Sequence, residues 1–99
     1  MLKHIVMWKF MDGEGKSKEE NIDIVKNGLL SLPPLVPHIK NITFLENQVE
    51  CDRNFDALLI VETENQDELQ KYKVHPEHKK VAEYVHKVTV NRGAVDIFE

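Results

Sequence analysis

The run Ala57-Leu58-Leu59-Ile60-Val61 decides the fold, because it puts apolar side chains on both faces of a predicted strand from Phe55 to Thr63. Successive side chains of a strand point to opposite faces of its sheet, and a strand with one wet face alternates apolar with polar residues. This run does not alternate. Both faces of the strand therefore need shielding from water.

The first predicted strand, Leu2 to Phe10, has the same two-sided pattern. Both of its faces carry mostly apolar side chains, with His4, Val6, Trp8 and Phe10 on one face and Ile5 and Met7 on the other. Burying one such side chain is worth roughly 1.5–3 kcal/mol. Helices can cover only one face of the sheet, so we expect a homodimer in which the sheets of two copies pack together.

Turn and capping signals predict the first half of the remaining elements. A helix from about residue 17 to 31 begins at the capping box Ser17-Lys18-Glu19-Glu20 and ends at Pro33-Pro34. Helical spacing of apolar residues supports it. A second strand then spans roughly residues 38 to 48, and the chain turns between Cys51 and Asn54 before the third strand.

The second half of the chain is predicted in the same way. Asn65 and Glu68 have capping-box spacing and open a short helix to about Tyr72. Pro76 then starts a helix to about Lys87, and residues 88 to 98 form the last strand, with a bend or bulge at Arg92-Gly93. The order predicts an α+β, ferredoxin-like split βαβ fold with a four-stranded antiparallel sheet, as a single domain over residues 1–99.

Composition excludes several classes of partner. The net charge of −4 and the pI near 5.7 argue against a nucleic-acid binder. No apolar run approaches the roughly 20 residues that span a bilayer, so no membrane association is expected. A single cysteine, Cys51, forms no internal disulfide, which is typical of a cytoplasmic protein.

The stretch Gly13-Glu14-Gly15-Lys16-Ser17 ends like a phosphate-binding P-loop. That motif also needs a glycine where this chain has Phe10, and it belongs to larger parallel α/β domains. We therefore interpret the stretch as a turn followed by a helix cap. No nucleotide or other cofactor is expected.

The stretch Tyr72-Lys73-Val74-His75-Pro76-Glu77-His78 carries the candidate chemistry. With Pro76 at the first helical position, His78 falls in the first turn on the sheet-facing side, and His4 shares its strand face with Val6 and Trp8. Tyr72, His78 and His4 would then converge on one cavity. Burial and the helix dipole would keep His78 neutral, as a general base must be, while Tyr72 could donate a hydrogen bond to a developing enolate oxygen.

Two other interpretations of these residues stay open. His78 can be a structural histidine bonded to a backbone carbonyl, with Tyr72 part of the core. A metal bound by His4, His75 and His78 is less favoured, because no carboxylate stands out as a further ligand. We therefore predict no metal site.

The chain resembles the stress-responsive A/B barrel (Dabb) family over essentially its whole length. The resemblance rests on Lys3-His4-Ile5-Val6, the polar turn before the first helix, His75-Pro76-x-His78 followed by Val81 and Val85, and the closing Val95-Asp96-Ile97-Phe98. It implies a dimeric α+β barrel with ferredoxin-like subunits. A plant polyketide cyclase of this family, which makes olivetolic acid by aldol cyclisation, uses a histidine–tyrosine pair.

Carried over residue by residue, the resemblance implies His78 as the catalytic base and Tyr72 as its partner. The remaining predicted pocket residues are His4, Val6, Trp8, Ala57, Leu59 and Val81. The pattern departs from the cyclase at Ala57, where the cyclase has a further pocket histidine.

Three functions follow as hypotheses. The first is a pocket that binds or processes a small carbonyl or polyketide-like compound by acid–base chemistry. The second is a non-catalytic stress-associated dimer, whose cavity would be filled by aromatic side chains. The third, by analogy of fold alone, is a barrel that degrades haem or oxidises quinols.

Overall fold

The computed structural model describes residues 1–99 as a four-stranded antiparallel sheet covered on one face by three helices. In chain order the elements are β1 (Leu2–Phe10), α1 (Lys18–Leu30), β2 (Asn41–Glu46), β3 (Ala57–Thr63), α2 (Gln66–Val74), α3 (Pro76–Val88) and β4 (Thr89–Phe98). The strand order β2-β3-β1-β4 confirms the predicted ferredoxin-like fold. None of the three helices combines the length and apolar character needed to cross a membrane.

The central strands β1 and β3 show why the apolar runs form this sheet. Every second residue of each strand is buried under the helices: Leu2, His4, Val6, Trp8 and Phe10 on β1, and Ala57, Leu59, Val61 and Thr63 on β3. The residues between them are half-buried. The two strands pair from Leu2 opposite Thr63 to Trp8 opposite Ala57, which keeps the two phases on opposite faces.

The other face of the sheet is not covered by any element of the chain. Ile5, Met7, Leu58 and Ile60 lie half-buried at its centre. Leu45, Val95 and Ile97 surround them and are 54%, 50% and 41% exposed. The expected apolar second face is therefore present.

The P-loop-like stretch is a tight turn, as predicted. The backbone of Gly13 and Lys16 pairs in both directions, and Glu14 and Gly15 between them have φ values of 54° and 74°. Ser17 then caps α1: its hydroxyl accepts from the Glu20 amide at 3.2 Å, and the Glu20 carboxylate accepts from the Ser17 amide at 3.0 Å.

The predicted capping box at the start of α2 forms only in part. The Asn65 side chain accepts from the Glu68 amide at 2.9 Å. The Glu68 carboxylate does not return to Asn65. It binds His38 Nδ1 at 2.6 Å and Lys71 Nζ at 3.2 Å, because these cationic or hydrogen-donating groups compete successfully for it.

Two boundaries differ from the sequence prediction. β2 is shorter than residues 38 to 48, because its regular register with β3 runs only from Asn41 to Glu46. The irregularity in β4 lies at Val90, which is skipped where Lys9 pairs with Asn91 and Phe10 with Thr89. Gly93 pairs regularly with Met7, so the predicted bend or bulge at Arg92-Gly93 does not form there.

Candidate functional site

A cavity of about 610 Å³ lies between the sheet and the last two helices, next to the edge strand β4. This volume is within the roughly 300–1,000 Å³ of small-molecule sites. Its walls combine an apolar interior with a few polar groups. They are formed by His4, Val6, Trp8, Leu29, Leu59, Tyr72, Lys73, His78, Ala82, Val85, His86, Thr89, Val90, Asn91 and Arg92.

The break between α2 and α3 positions Tyr72 and His78. In an uninterrupted helix, the Lys73 carbonyl would accept from the amide of Glu77. Here His75 is extended, as a residue before proline usually is, and its Nδ1 accepts from the Glu77 amide at 3.1 Å. The freed Lys73 carbonyl binds His78 Nδ1 at 2.9 Å.

This hydrogen bond fixes the proton on His78. A carbonyl oxygen can only accept, so Nδ1 carries the hydrogen and donates it. In a neutral imidazole, Nε2 is then unprotonated and can accept a proton. Burial lowers the pKa of His78, and the nearby Lys73 and His4 contribute to the same shift against the opposing hydrogen bond to the carbonyl. His78 is therefore a neutral imidazole at pH 7.

Tyr72 packs directly against that imidazole, with the ring centroids 4.4 Å apart and the planes inclined by 45°. The residue is 1% exposed, and burial raises the pKa of its phenol, so the hydroxyl stays protonated. The hydroxyl makes no hydrogen bond within the chain. Every fully buried polar side-chain atom of the protein has a hydrogen-bond partner, so the Tyr72 hydroxyl oxygen is not fully buried. It is thus a donor accessible from the cavity.

The His4 ring is oriented by Asp96 on the neighbouring strand β4. Its Nδ1 lies 2.5 Å from Asp96 Oδ1, because His4 and Asp96 are directly opposite each other on β1 and β4. Burial lowers the pKa of His4, and the positive charges of Lys73 and Arg92 add to the shift, whereas Asp96 opposes it. A neutral His4 donates from Nδ1 to the carboxylate and leaves Nε2 as an acceptor, an arrangement that orients the ring.

His75 and His38 lie outside this cavity. Their rings contact each other edge to face, with centroids 6.4 Å apart, and His75 caps α3 through its side chain. The structure therefore does not bring His75 together with His4 and His78. No three His, Cys, Asp or Glu side chains form a group that could hold a metal ion.

Six of the eight predicted site residues line the cavity: His4, Val6, Trp8, Leu59, Tyr72 and His78. Two do not. Ala57 is buried at the start of β3 opposite Trp8, and it is not among the residues that line the cavity. Val81 packs on α1 instead, and a Cβ at Gly28 would lie 3.3 Å from it.

The sequence interpretation missed the polar residues that β4 and α2 bring to the cavity. Arg92 lies opposite Trp8 across the β1–β4 pairing, and Asn91 precedes it. Lys73 and Arg92 belong to a basic cluster of the sequence, with Lys71, Lys79, Lys80 and Lys87, which is typical of a solvated helix surface but could also attract an acidic ligand; the sequence did not place either of the two in the cavity. Alternation along β4 in phase with β1 would have indicated Arg92 and Asp96, given the strand register.

The fold and the cavity together define a ferredoxin-like α+β domain with a histidine- and tyrosine-lined pocket on the helix side of its sheet. The model of the Stress responsive A/B Barrel Domain (Dabb) matches residues 2–99. This chain belongs to the Dabb family. A comparison with curated proteins finds no match.

Solved structures share the fold at low sequence identity. A dimeric ferredoxin-like protein of unknown function from Thermobifida fusca is 21% identical with a TM-score of 0.80, covering 97% of this chain and 88% of that chain. A similar dimeric protein from Bacteroides fragilis is 25% identical with a TM-score of 0.75, covering 97% and 93%. A hydroxynitrile lyase from Passiflora edulis is 12% identical with a TM-score of 0.77, covering 97% and 90%.

Proposed function

We propose that this protein is a cytoplasmic homodimeric barrel that binds a small carbonyl compound and transfers a proton with His78 and Tyr72. The observation that carries the proposal is the pairing of a free tyrosine hydroxyl with a neutral imidazole whose Nδ1 is already committed to Lys73. A buried hydroxyl usually finds a partner in its own protein. A hydroxyl that has none, beside an imidazole with a free Nε2, suits a bound substrate.

The proton transfer follows from these two groups. His78 Nε2 removes a proton from a carbon next to a carbonyl, and the Tyr72 hydroxyl donates a hydrogen bond to the oxygen as it becomes an enolate. The enolate carbon can then form a bond to a second carbonyl carbon of the same molecule. The protonated His78 returns its proton to the resulting alkoxide, so the ring closure is an aldol cyclisation with no net change in protons.

The resemblance to the polyketide cyclase supports this reaction class through His78, Tyr72 and His4. Ala57 differs from the cyclase's histidine, and it lies outside the cavity lining here. His4, held by Asp96, is the remaining basic group of the pocket and would orient the substrate. The reaction proposed for this chain therefore depends on two histidines and one tyrosine.

The non-catalytic alternative expects a cavity filled by Trp8, Phe10 and Tyr72. The open volume of about 610 Å³ beside Trp8 and Tyr72 favours the ligand-processing function over that alternative. Both functions share the homodimer.

Deuterium exchange tests the proton transfer directly. We expect the protein to accelerate exchange at the carbon next to the carbonyl of phenylacetone in D₂O, measured by NMR. His78→Gln should lower the acceleration by about 100-fold or more, the usual contribution of a general base, and Tyr72→Phe by about 100-fold to 1,000-fold, the usual contribution of one donor to the developing oxyanion. His38→Gln, which changes a histidine outside the cavity, is the matched control and should retain the acceleration.

The melting temperatures of these variants separate catalysis from folding. A wild-type protein that exchanges no faster than buffer contradicts the proposal, as does a folded His78→Gln variant with full acceleration. If His78→Gln unfolds, the histidine is structural, and Tyr72→Phe alone decides the catalytic part.

The dimer is supported by the apolar open face and by the dimeric fold neighbours. Val95→Asp puts a charge on this face opposite Ile5 and should convert a dimer into a monomer of 11.5 kDa in sedimentation. Val49→Asp, in the exposed loop before β3, is the control and should remain dimeric. A wild-type monomer at micromolar concentration would contradict the dimer while leaving the pocket chemistry to its own test.

A further inference from the structure

The cavity carries two cationic side chains and no carboxylate. Lys73 and Arg92 are among its lining residues, whereas no aspartate or glutamate is. Neither cation takes part in an ion pair of the protein, although eight such pairs occur elsewhere. This is a local reversal, because the chain as a whole has a net charge of −4.

The two cations flank the candidate catalytic groups. Lys73 belongs to the last turn of α2 and shares with His78 the hydrogen bond described above. Arg92 lies on β4 next to Trp8, on the exposed rim of the cavity. The charges of both side chains reach His4, where they disfavour a positive imidazole. Lys73 on α2 and Arg92 on β4 therefore add a positive field to the pocket, which the Asp96 carboxylate bonded to His4 opposes at that residue.

The interior between them is apolar. Val6, Trp8, Leu29, Leu59 and Val85 line it, and none of these side chains can stabilise a charge. A ligand that matches both parts has an apolar body for the interior and a negative group for the rim. Arginine recognises carboxylates and phosphates through its planar fork, and lysine acts as a point charge.

We propose that the ligand of this cavity is a small organic anion whose negative group is bound by Lys73 and Arg92 while its carbonyl meets Tyr72 and His78. This inference rests on the proposed function of the pocket and adds the charge class of the substrate. Binding of the anion also offsets the positive field at His4 and His78, which strengthens both as bases when the substrate is present.

A set of matched probes tests the charge class. The binding of 2-naphthoate, 2-naphthyl phosphate and the neutral 2-naphthamide is measured by titration calorimetry at low ionic strength. We expect one or both anions to bind at least roughly tenfold more tightly than the amide, because charge-assisted hydrogen bonds exceed neutral ones. The tighter of the two anions identifies the negative group as carboxylate or phosphate.

Charge-removing variants locate the effect. Lys73→Gln and Arg92→Gln should each lower the affinity for the anion by roughly three- to tenfold and leave the affinity for the amide unchanged. Lys79→Gln removes the same charge from an exposed position of α3 outside the cavity, and it should change neither affinity.

The outcomes separate this inference from the proposed function. Equal affinities for anions and amide, or variants that bind the anions as the wild type does, overturn the anion site but leave the pocket intact. Failure of all three probes to bind at millimolar concentration overturns the ligand pocket and this inference with it.

Discussion

Two tyrosines in the layer between helices and sheet have opposite surroundings. The Tyr84 hydroxyl donates to Asn21 Oδ1 at 2.6 Å, and the Asn21 amide donates in turn to the carbonyls of Met11 and Gly13. The Tyr72 hydroxyl makes no hydrogen bond within the chain, although Tyr72 is 1% exposed. The first tyrosine is fully used by the fold, and the second is not.

The difference separates a structural site from a candidate functional one. Asn21 is 0% exposed and joins α3, α1 and the loop after β1, so its bonds hold three parts of the fold together. Around Tyr72 the polar groups converge on open space instead. A polar group that opens onto a cavity and has no partner in the fold is where a bound ligand is expected.

Removing each hydroxyl in turn tests this comparison. The expected change in the free energy of unfolding is the larger of the two effects predicted in this section. Tyr84→Phe leaves Asn21 Oδ1 buried without its donor, which should lower the free energy of unfolding by about 1–2 kcal/mol. Tyr72→Phe removes a hydroxyl with no partner, so the change should stay within about 0.5 kcal/mol. Urea denaturation of both variants at one protein concentration measures the two values.

The pair is its own control, since both substitutions delete a single oxygen from a tyrosine. Equal losses of stability would mean that the Tyr72 hydroxyl is structural after all. The proposed role of Tyr72 as a donor to substrate would then lose its main support.

Local signals explain what the sequence predicted well. The bounds of β1, the capping box at Ser17 and the start of α3 at Pro76 each depend on residues within a few positions. The convergence of His4, Tyr72 and His78 also follows, because it needs only the phase of β1 and the inward faces of α2 and α3. These features are encoded by periodicity and capping, which a single sequence contains.

Features that depend on strand register were not predictable in this way. Asp96 is 92 positions from His4 in the chain, and their contact requires that β4 pair with β1 in one particular register. A slip of one residue would turn Asp96 and Arg92 to the opposite face. The skipped Val90 is the one irregularity of this pairing, and no local signal at Val90 indicates it.

Contacts between residues far apart in the sequence also explain why Ala57 and Val81 were wrongly predicted to line the pocket. Their prediction rested on the periodicity of the strand or helix and on the resemblance to the Dabb family. Whether a short side chain reaches a cavity depends on how the layers pack. Here the larger Trp8 lies opposite Ala57, and Val81 packs against α1. Packing between distant elements decides both positions.

The smallest expected effect is the pH dependence of the free energy of unfolding, which tests the two imidazoles that surround Tyr72. Burial lowers the pKa values of His4 and His78 below the ordinary 6.5, so the folded protein binds fewer protons than the unfolded chain as the pH falls. The state that binds more protons is favoured by acid. The free energy of unfolding should therefore decrease between about pH 7.5 and 5.5, a window above the titration of ordinary carboxylates.

The double variant His4→Gln/His78→Gln identifies the groups responsible. Its stability should depend less on pH over this window than that of the wild type, because the two shifted histidines are gone. Urea midpoints at several pH values measure both slopes. A variant with the wild-type slope would mean that neither imidazole is held neutral by its burial, and His78 would then lack the protonation state that a base beside Tyr72 requires.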